Sequence, residues 1–212
     1  TLVSPSNRMV VFPFTKLMCA NIDVDQAAAI VMCSYGAAVE AGVPSDEMVF
    51  PWSGAEANDH YFFTERWSLA DSPAIATAVS TALAAAGIGI DDIAHMDLYS
   101  CFPSAVQLGA ASLGLSTDRQ LTRTGGLSFA GGPWNNYVMH AVATVVGELR
   151  ARPGEKGLVW GNGGYATKHA FGVYSTTPPT NGFKHAYPQD QIDALPRRTV
   201  VDIGTSEGPA TI

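Results

Sequence analysis

Charge is scarce in this chain. Only 15% of its 212 residues are charged, and 12 basic against 19 acidic residues leave a formal net charge of -7. The basic residues are scattered rather than clustered, which makes nucleic acid and anionic membrane surfaces poor partners. Cysteine is nearly absent: Cys19, Cys33 and Cys101 are odd in number and lack metal-type spacing. A reduced, cytoplasmic protein without disulfides or structural zinc is expected, with Cys19 and Cys33 serving packing. No apolar run reaches the roughly 18 residues of a membrane span, and no basic-then-apolar leader opens the chain. No His/Asp/Glu cluster has metal-site spacing, so no metal is expected. The first residue is Thr1 in a loop-like stretch, which reads as a fragment or processed piece of a longer protein.

Apolar residues are abundant, at 47% of the chain. That is enough for one domain with a real core plus an appendage. The apolar run 27–33 suits a strand buried on both faces. Ser34 can cap a helix through Ala41, stopped by Gly42. Residues 47–52 read as a second strand that ends, or meets a sheet edge, at Pro51. Asp71 or Ser72 caps a helix over 73–86, with Ile75, Val79, Ala82, Leu83 and Ala86 as its buried stripe. A third strand is expected over 93–99 and helices over 103–114 and 133–151. Two closing strands follow at 157–161 and 169–175. They are joined by a turn too short for a helical crossover, so that pair should be antiparallel. Five strands interleaved with helices predict an α/β three-layer sandwich around a mixed sheet, with the helices at 73–86 and 133–151 on opposite faces or at its centre. The core unit spans 1–177. Residues 178–212 read as a linker and the start of a further, incomplete module in which only 198–203 looks like a strand.

The candidate sites lie where helices and turns begin. Cys101 stands just ahead of Pro103, and the free N–H groups of that helix start can favour a thiolate. A small, buried, inert thiol is the plainer reading. Gly125, Gly126, Gly131 and Gly132 permit close backbone approach before a helix start, an arrangement that can hold an oxyanion or a phosphate. The segment 161–168 is not a phosphate loop, because its lysine spacing is wrong and no helix clearly follows. His140 falls about two turns into a helix opened by Pro133, on a stripe with Asn136 and Ala143. Tyr137, Ala141, Val145 and Leu149 mark the apolar stripe. His169 lies close to the last glycine turn, whereas His60, His95 and His185 have no supporting context.

Three stretches, 97–105, 124–140 and 161–174, follow one another with the order and spacing of the loops that the C-terminal half of a thiolase contributes to its active site. Over residues 8–175 the chain resembles the C-terminal half of a thiolase-superfamily protein. It is most similar to the acetyl-CoA acetyltransferase-like and lipid-transfer members related to the sterol-carrier-protein type. The resemblance implies a thiolase-like sandwich half, a link to lipid metabolism, and acyltransferase chemistry on acyl-CoA or a related thioester, with coenzyme A arriving as part of the substrate and no bound cofactor. It also implies that the nucleophilic cysteine belongs to an N-terminal thiolase half, the first expected partner, and it leaves room for a homo-oligomer.

The family's catalytic tetrad falls on Tyr99, Ser100, Cys101 and Phe102; Cys101 and Phe102 keep the sterol-carrier pattern, and Tyr99 replaces the family's Asn or His. Gly132 stands where the family has a histidine that activates the nucleophile. The family's acid/base cysteine position falls on Gly161 or Asn162. Ordinary thiolysis is therefore not expected. The resemblance leaves Tyr99, Cys101, Asn162 and either His140 or His169 for altered chemistry such as retro-aldol C–C cleavage. Phe102, Gly125, Gly126, Gly131, Gly132, Gly163 and Gly164 would line the thioester. A non-catalytic carrier or partner subunit is the alternative, and a cysteine hydrolase on Cys101 lacks an evident orienting acid.

Overall fold

The computed structural model describes residues 2–201, 204 and 207–209. A five-stranded mixed sheet carries the fold. In chain order its strands are β3 (Phe50–Asn58), β4 (His95–Asp97), β5 (Lys156–Gly163), β6 (Lys168–Ser175) and β7 (Lys184–Ala186), arranged β4-β5-β6-β3-β7. β6 runs antiparallel to both β5 and β3, while β4 is parallel to β5 and β7 to β3. A small ribbon of β1 (Met9–Val11) and β2 (Phe14–Thr15) lies outside this sheet.

Five helices accompany the strands: α1 (Tyr35–Glu40), α2 (Pro73–Ala86), α3 (Pro103–Ser112), α4 (Tyr137–Ala151) and α5 (Gln189–Asp193). Alternation along β5 distributes them. Leu158 and Trp160 point into a core built with Ile75, Ala78, Val79 and Ala82 of α2 and Ala110 of α3. Val159 points the other way, against Tyr137, Ala141, Val145 and Leu149 of α4. The helices α2 and α4 therefore cover opposite faces. On the α4 face, Gly161 lets the helix come close, since a Cβ there would stand 3.3 Å from Val138. The cap of α2 is Ser72, whose hydroxyl accepts from the Ile75 N–H, and Gly87 closes the helix at a φ of 70°.

Several expectations need correction. Residues 27–33 are not a strand: Val31 and Met32 are 94% and 83% exposed and the run pairs with no sheet neighbour. The fifth strand is instead β7, and its ladder with β3 runs through Ser53–Lys184, Gly54–His185 and Ala55–Ala186. α5 follows, its Ile192 buried in the α2-side core, so residues 184–193 are built onto the sheet rather than hanging from it. Residues 198–201 form no strand, and 202–203 lie outside the described residues. The strand expected over 47–52 runs from Phe50 to Asn58, with Pro51 inside it, paired with Tyr174 beside a register shift. Pro133 does not open α4. A 3-10 turn over Trp134–Asn136 intervenes, so His140 belongs to the first turn of the helix rather than lying two turns in. Cys33 is exposed and does no packing.

Candidate functional site

The C-terminal ends of β3, β4 and β5, the start of β6 and the N-termini of α2 and α4 all lie at one end of the sheet. On the α4 face the anchor is Asp97, the last residue of β4 and fully buried. Its Oδ2 accepts from the backbone N–H groups of Arg123 (2.8 Å) and Thr124 (2.9 Å) and from the Thr124 hydroxyl (3.0 Å). Its Oδ1 accepts from the Tyr137 hydroxyl at 2.9 Å. One carboxylate thus joins a strand end, the glycine loop and a helix start. Burial, then the charge of Asp97, drive the Tyr137 phenol far above its usual range, so it remains a donor.

Tyr99, Ser100 and Cys101 follow that strand end. Ser100 Oγ accepts from the Leu127 N–H at 3.3 Å, and Tyr99 packs edge-on to Tyr137 with ring centroids 5.4 Å apart. Residues 20–28 form a strap over both loops. Ala20 N–H donates to Cys101 O (2.9 Å), Asn21 N–H to Leu127 O (3.0 Å), and Gly132 N–H to Asn21 O (2.8 Å). The Asn136 side chain then accepts from the Ala28 N–H at 2.9 Å and donates to its carbonyl at 3.3 Å. The apolar run 27–33, which contains the clamped Ala28, has the composition of a strand, but a short run cannot reveal whether its partners are sheet neighbours.

Position 132 is tight for a side chain. A Cβ there would stand 3.3 Å from Ala20 Cβ, 3.4 Å from Leu127 Cδ2 and 3.5 Å from Asn21 O. Gly125, Gly126 and Gly131 have φ values of 91°, 86° and 93°, a region only glycine enters freely. The Cys101 thiol is pushed above its usual range by burial, which outweighs the Phe102 and Cys101 backbone N–H groups; the lowering expected from the helix start is overruled. Burial, and then the nearby Cys101, raise the Tyr99 phenol as well. The Phe102 ring lies 5.3 Å from that of Phe14.

Asn162 and His169 belong to the other face. They oppose each other across β5 and β6, and the His169 ring lies 5.7 Å from Trp160 in the α2-side core. His169 Nε2 reaches Asp59 Oδ2 at 3.3 Å, and Ser72 donates to the same oxygen. The backbone N–H of Ala74 donates to Asp59 Oδ1. Burial alone would raise the Asp59 carboxyl, but the hydrogen bonds from His169, Ser72 and Ala74 hold it below its usual range. An acid that orients a histidine is therefore present, yet it serves His169 across the sheet from Cys101. His169 Nδ1, Asn162 Oδ1 and His140 Nε2 are buried without a protein partner.

Among the described residues no hydrogen bond links His140 to Tyr99 or Cys101. Gly163 and Gly164 turn the chain between β5 and β6, with Gly164 at a φ of 64°. The expected site residues thus form two groups, Tyr99, Cys101 and Gly125–Gly132 on one face and Asn162 with His169 on the other. Asp97, Thr124, Asp59 and Ser72 were missed, and the signal available was a lone acid ending each apolar strand. Of the histidines without context, His95 is fully buried with Nε2 2.5 Å from Glu155 Oε2, and His60 Nε2 lies 3.2 Å from Ile192 O. Among the described residues no group of three or more His, Cys, Asp or Glu could hold a metal ion, and no helix of these residues is long and apolar enough to cross a membrane.

A mixed sheet covered on both faces, with glycine loops gathered at the strand ends, defines a thiolase-like α/β sandwich half. Solved structures make the assignment more particular. The chain is similar to a monomeric SCP2-thiolase-like protein type 1 from Mycobacterium smegmatis, with 40% identity and a TM-score of 0.82 over 94% of this chain and 44% of that one. It has the thiolase-superfamily fold of the SCP2 type. The chain spans less than half the length of that protein. No protein-family model and no curated protein matches it.

Proposed function

We propose that this chain is the half of a thiolase-like protein that faces an acyl-CoA or related thioester, and that ordinary thiolysis has been lost from it. The observation that carries this is position 132, which has no side chain and where a Cβ would already crowd Ala20 at 3.3 Å and touch Leu127 and Asn21. An activating imidazole is thus absent and cannot simply be restored. A thiol held protonated at Cys101 is likewise a poor base at neutral pH. The Cys101 loop and the glycine loop nevertheless stay fastened together by the strap, which a binding surface requires.

The missing partner in this reading is an N-terminal thiolase half. Its seat would be the outer stripe of α4, where Met139, Ala143 and Gly147 are exposed and Val142 and Val146 half-buried. Small and apolar side chains in that pattern suit helix-on-helix packing.

A carrier role and a retro-aldol C–C lyase are both compatible with thioester binding. Tyr99 favours the lyase, since a phenol kept protonated by burial can donate a hydrogen bond to a developing alkoxide or enolate. Calorimetric titration of the full-length protein with acetyl-CoA, alongside an acetoacetyl-CoA thiolysis assay, tests the reading. Measurable binding with negligible thiolysis is expected, and absence of any CoA-ester binding would overturn it. Loss of C–C cleavage in Tyr99→Phe, with binding retained, selects the lyase over the carrier.

A further inference from the structure

The loop between β3 and α2 has no part in the thioester reading, yet it is the most aromatic surface of the molecule. Tyr61, Phe62, Phe63, Trp67 and Leu69 are 71%, 61%, 48%, 68% and 66% exposed. Such a run is costly in water unless something covers it. The loop is firmly held all the same. Arg66 donates from Nε to His60 O (3.0 Å), from Nη1 to Tyr165 O (2.9 Å) and Ala166 O (3.0 Å), and from Nη2 to Thr167 Oγ1 (2.6 Å). From the other side the C-terminal stretch is pinned across it. Arg197 Nη1 pairs with Glu65 Oε2 at 2.9 Å, and the Arg198 N–H donates to Glu65 O at 2.9 Å.

Between loop and tail lies an open groove of about 630 Å³ lined by Phe63, Arg66, Trp67, Leu69 and Arg198. That volume falls within the roughly 300–1,000 Å³ of small-molecule sites. Its charge is the informative property. The chain carries a net charge of -7, yet two guanidinium groups and no acid line this groove. Arg66 spends its hydrogen bonds on neutral oxygens. Burial lowers its pKa, and the charge of Asp59 pulls the other way. Arg198 lies over the Trp67 ring at 6.0 Å and has no ion pair among the described residues. Glu65, the acid of this loop, is taken by Arg197. Aromatic walls beside the Arg198 guanidinium, which has no ion pair among the described residues, are complementary to a flat apolar body bearing an anion.

We propose that this groove binds a flat-bodied organic carboxylate, with its ring against Trp67 and Phe63 and its carboxylate on the Arg198 fork. Planar bidentate pairing is what a guanidinium offers and an ammonium does not. The site stands apart from Tyr99, Cys101 and the glycine loops, so failure of acetyl-CoA binding would leave it untouched.

The test uses 2-naphthoate, titrated into the full-length protein and followed by calorimetry and by the Trp67 indole N–H resonance. The expected result is a saturable shift of that resonance. The neutral 2-naphthamide and the Arg198→Gln variant should each bind about tenfold more weakly, the scale of losing one charge-assisted pair. Arg198→Lys should recover part of the loss, and Trp67→Ala should abolish binding with the fold intact by circular dichroism. Equal affinity for naphthoate and naphthamide, unchanged binding by Arg198→Gln, or a Trp67 resonance that does not move would each overturn the proposal.

Discussion

Placing a histidine at position 132 tests the reading of the glycine loop most directly. If thiolysis were lacking only for want of an imidazole, Gly132→His should restore it. The geometry predicts otherwise. The new Cβ would sit 3.3 Å from Ala20 Cβ and 3.4 Å from Leu127 Cδ2, and the methyl of Ala20 cannot rotate away. The imidazole beyond that Cβ must displace Leu127, which is 3% exposed, or lift the strap at Ala20 and Asn21. Overpacking of this kind costs about 1–3 kcal/mol. Lifting the strap also risks three backbone hydrogen bonds (2.8, 2.9 and 3.0 Å), each contributing about 0.5–1.5 kcal/mol net.

A loss of about 2–4 kcal/mol follows if only part of the strap yields. For a chain of this size that corresponds to a fall in Tm of about 4–16 °C. Urea unfolding measures the stability and a spectrophotometric acetoacetyl-CoA assay the activity. Ala20→Gly in the same background should recover part of the stability by removing the methyl. A Gly132→His protein as stable as the parent, or one that gains thiolysis, would refute the account.

Two further outcomes follow from the pKa directions. With iodoacetamide, the exposed Cys33 should label first, and Cys101 should lag at neutral pH and quicken above its raised thiol pKa; peptide mapping that finds Cys101 fastest at pH 7 would contradict the burial reading. The Asp59 carboxyl is held below the usual carboxylate range, so its contribution is present above the unfolded value and lost as pH falls through the lower folded value. The stability gap between wild type and Asp59→Asn should therefore narrow below about pH 4; a gap that stays constant down to pH 2 would remove the linkage.

Much of the sheet was legible because its helices repeat at a fixed period. Tyr137, Ala141, Val145 and Leu149 are spaced by four, and all four are buried. The resemblance in the glycine loops carried the fold class further than composition could. What escaped notice was short or distant. β7 has three residues, too few for any alternation to register. The run 27–33 has the composition of a strand, but Ala28 is held by the Asn136 side chain rather than by a sheet neighbour. The late start of α4 came from Pro133, whose ψ of 53° sets up a 3-10 turn instead of an α-helical first turn. Asp59 and His169 are 110 residues apart, and Asp97 ends an apolar strand where a single acid reads as a stop rather than an anchor. Spacing rules find partners on one element, and these networks are made between elements.

The side-chain amide of Asn136 does for the strap what a neighbouring strand would do for a ladder. It meets both the N–H and the carbonyl of Ala28, and Gln189 does the same for Asn58 at 2.7 and 3.0 Å. A carboxamide has one acceptor end and one donor end, so each clamp distinguishes amide from acid by a single atom. Hydrolysis of either side chain to its acid would leave the size unchanged and turn the donor end into an anion facing a carbonyl. Slow chemical ageing at Asn136 would thus loosen the strap over the loops while leaving the sheet and its cores intact.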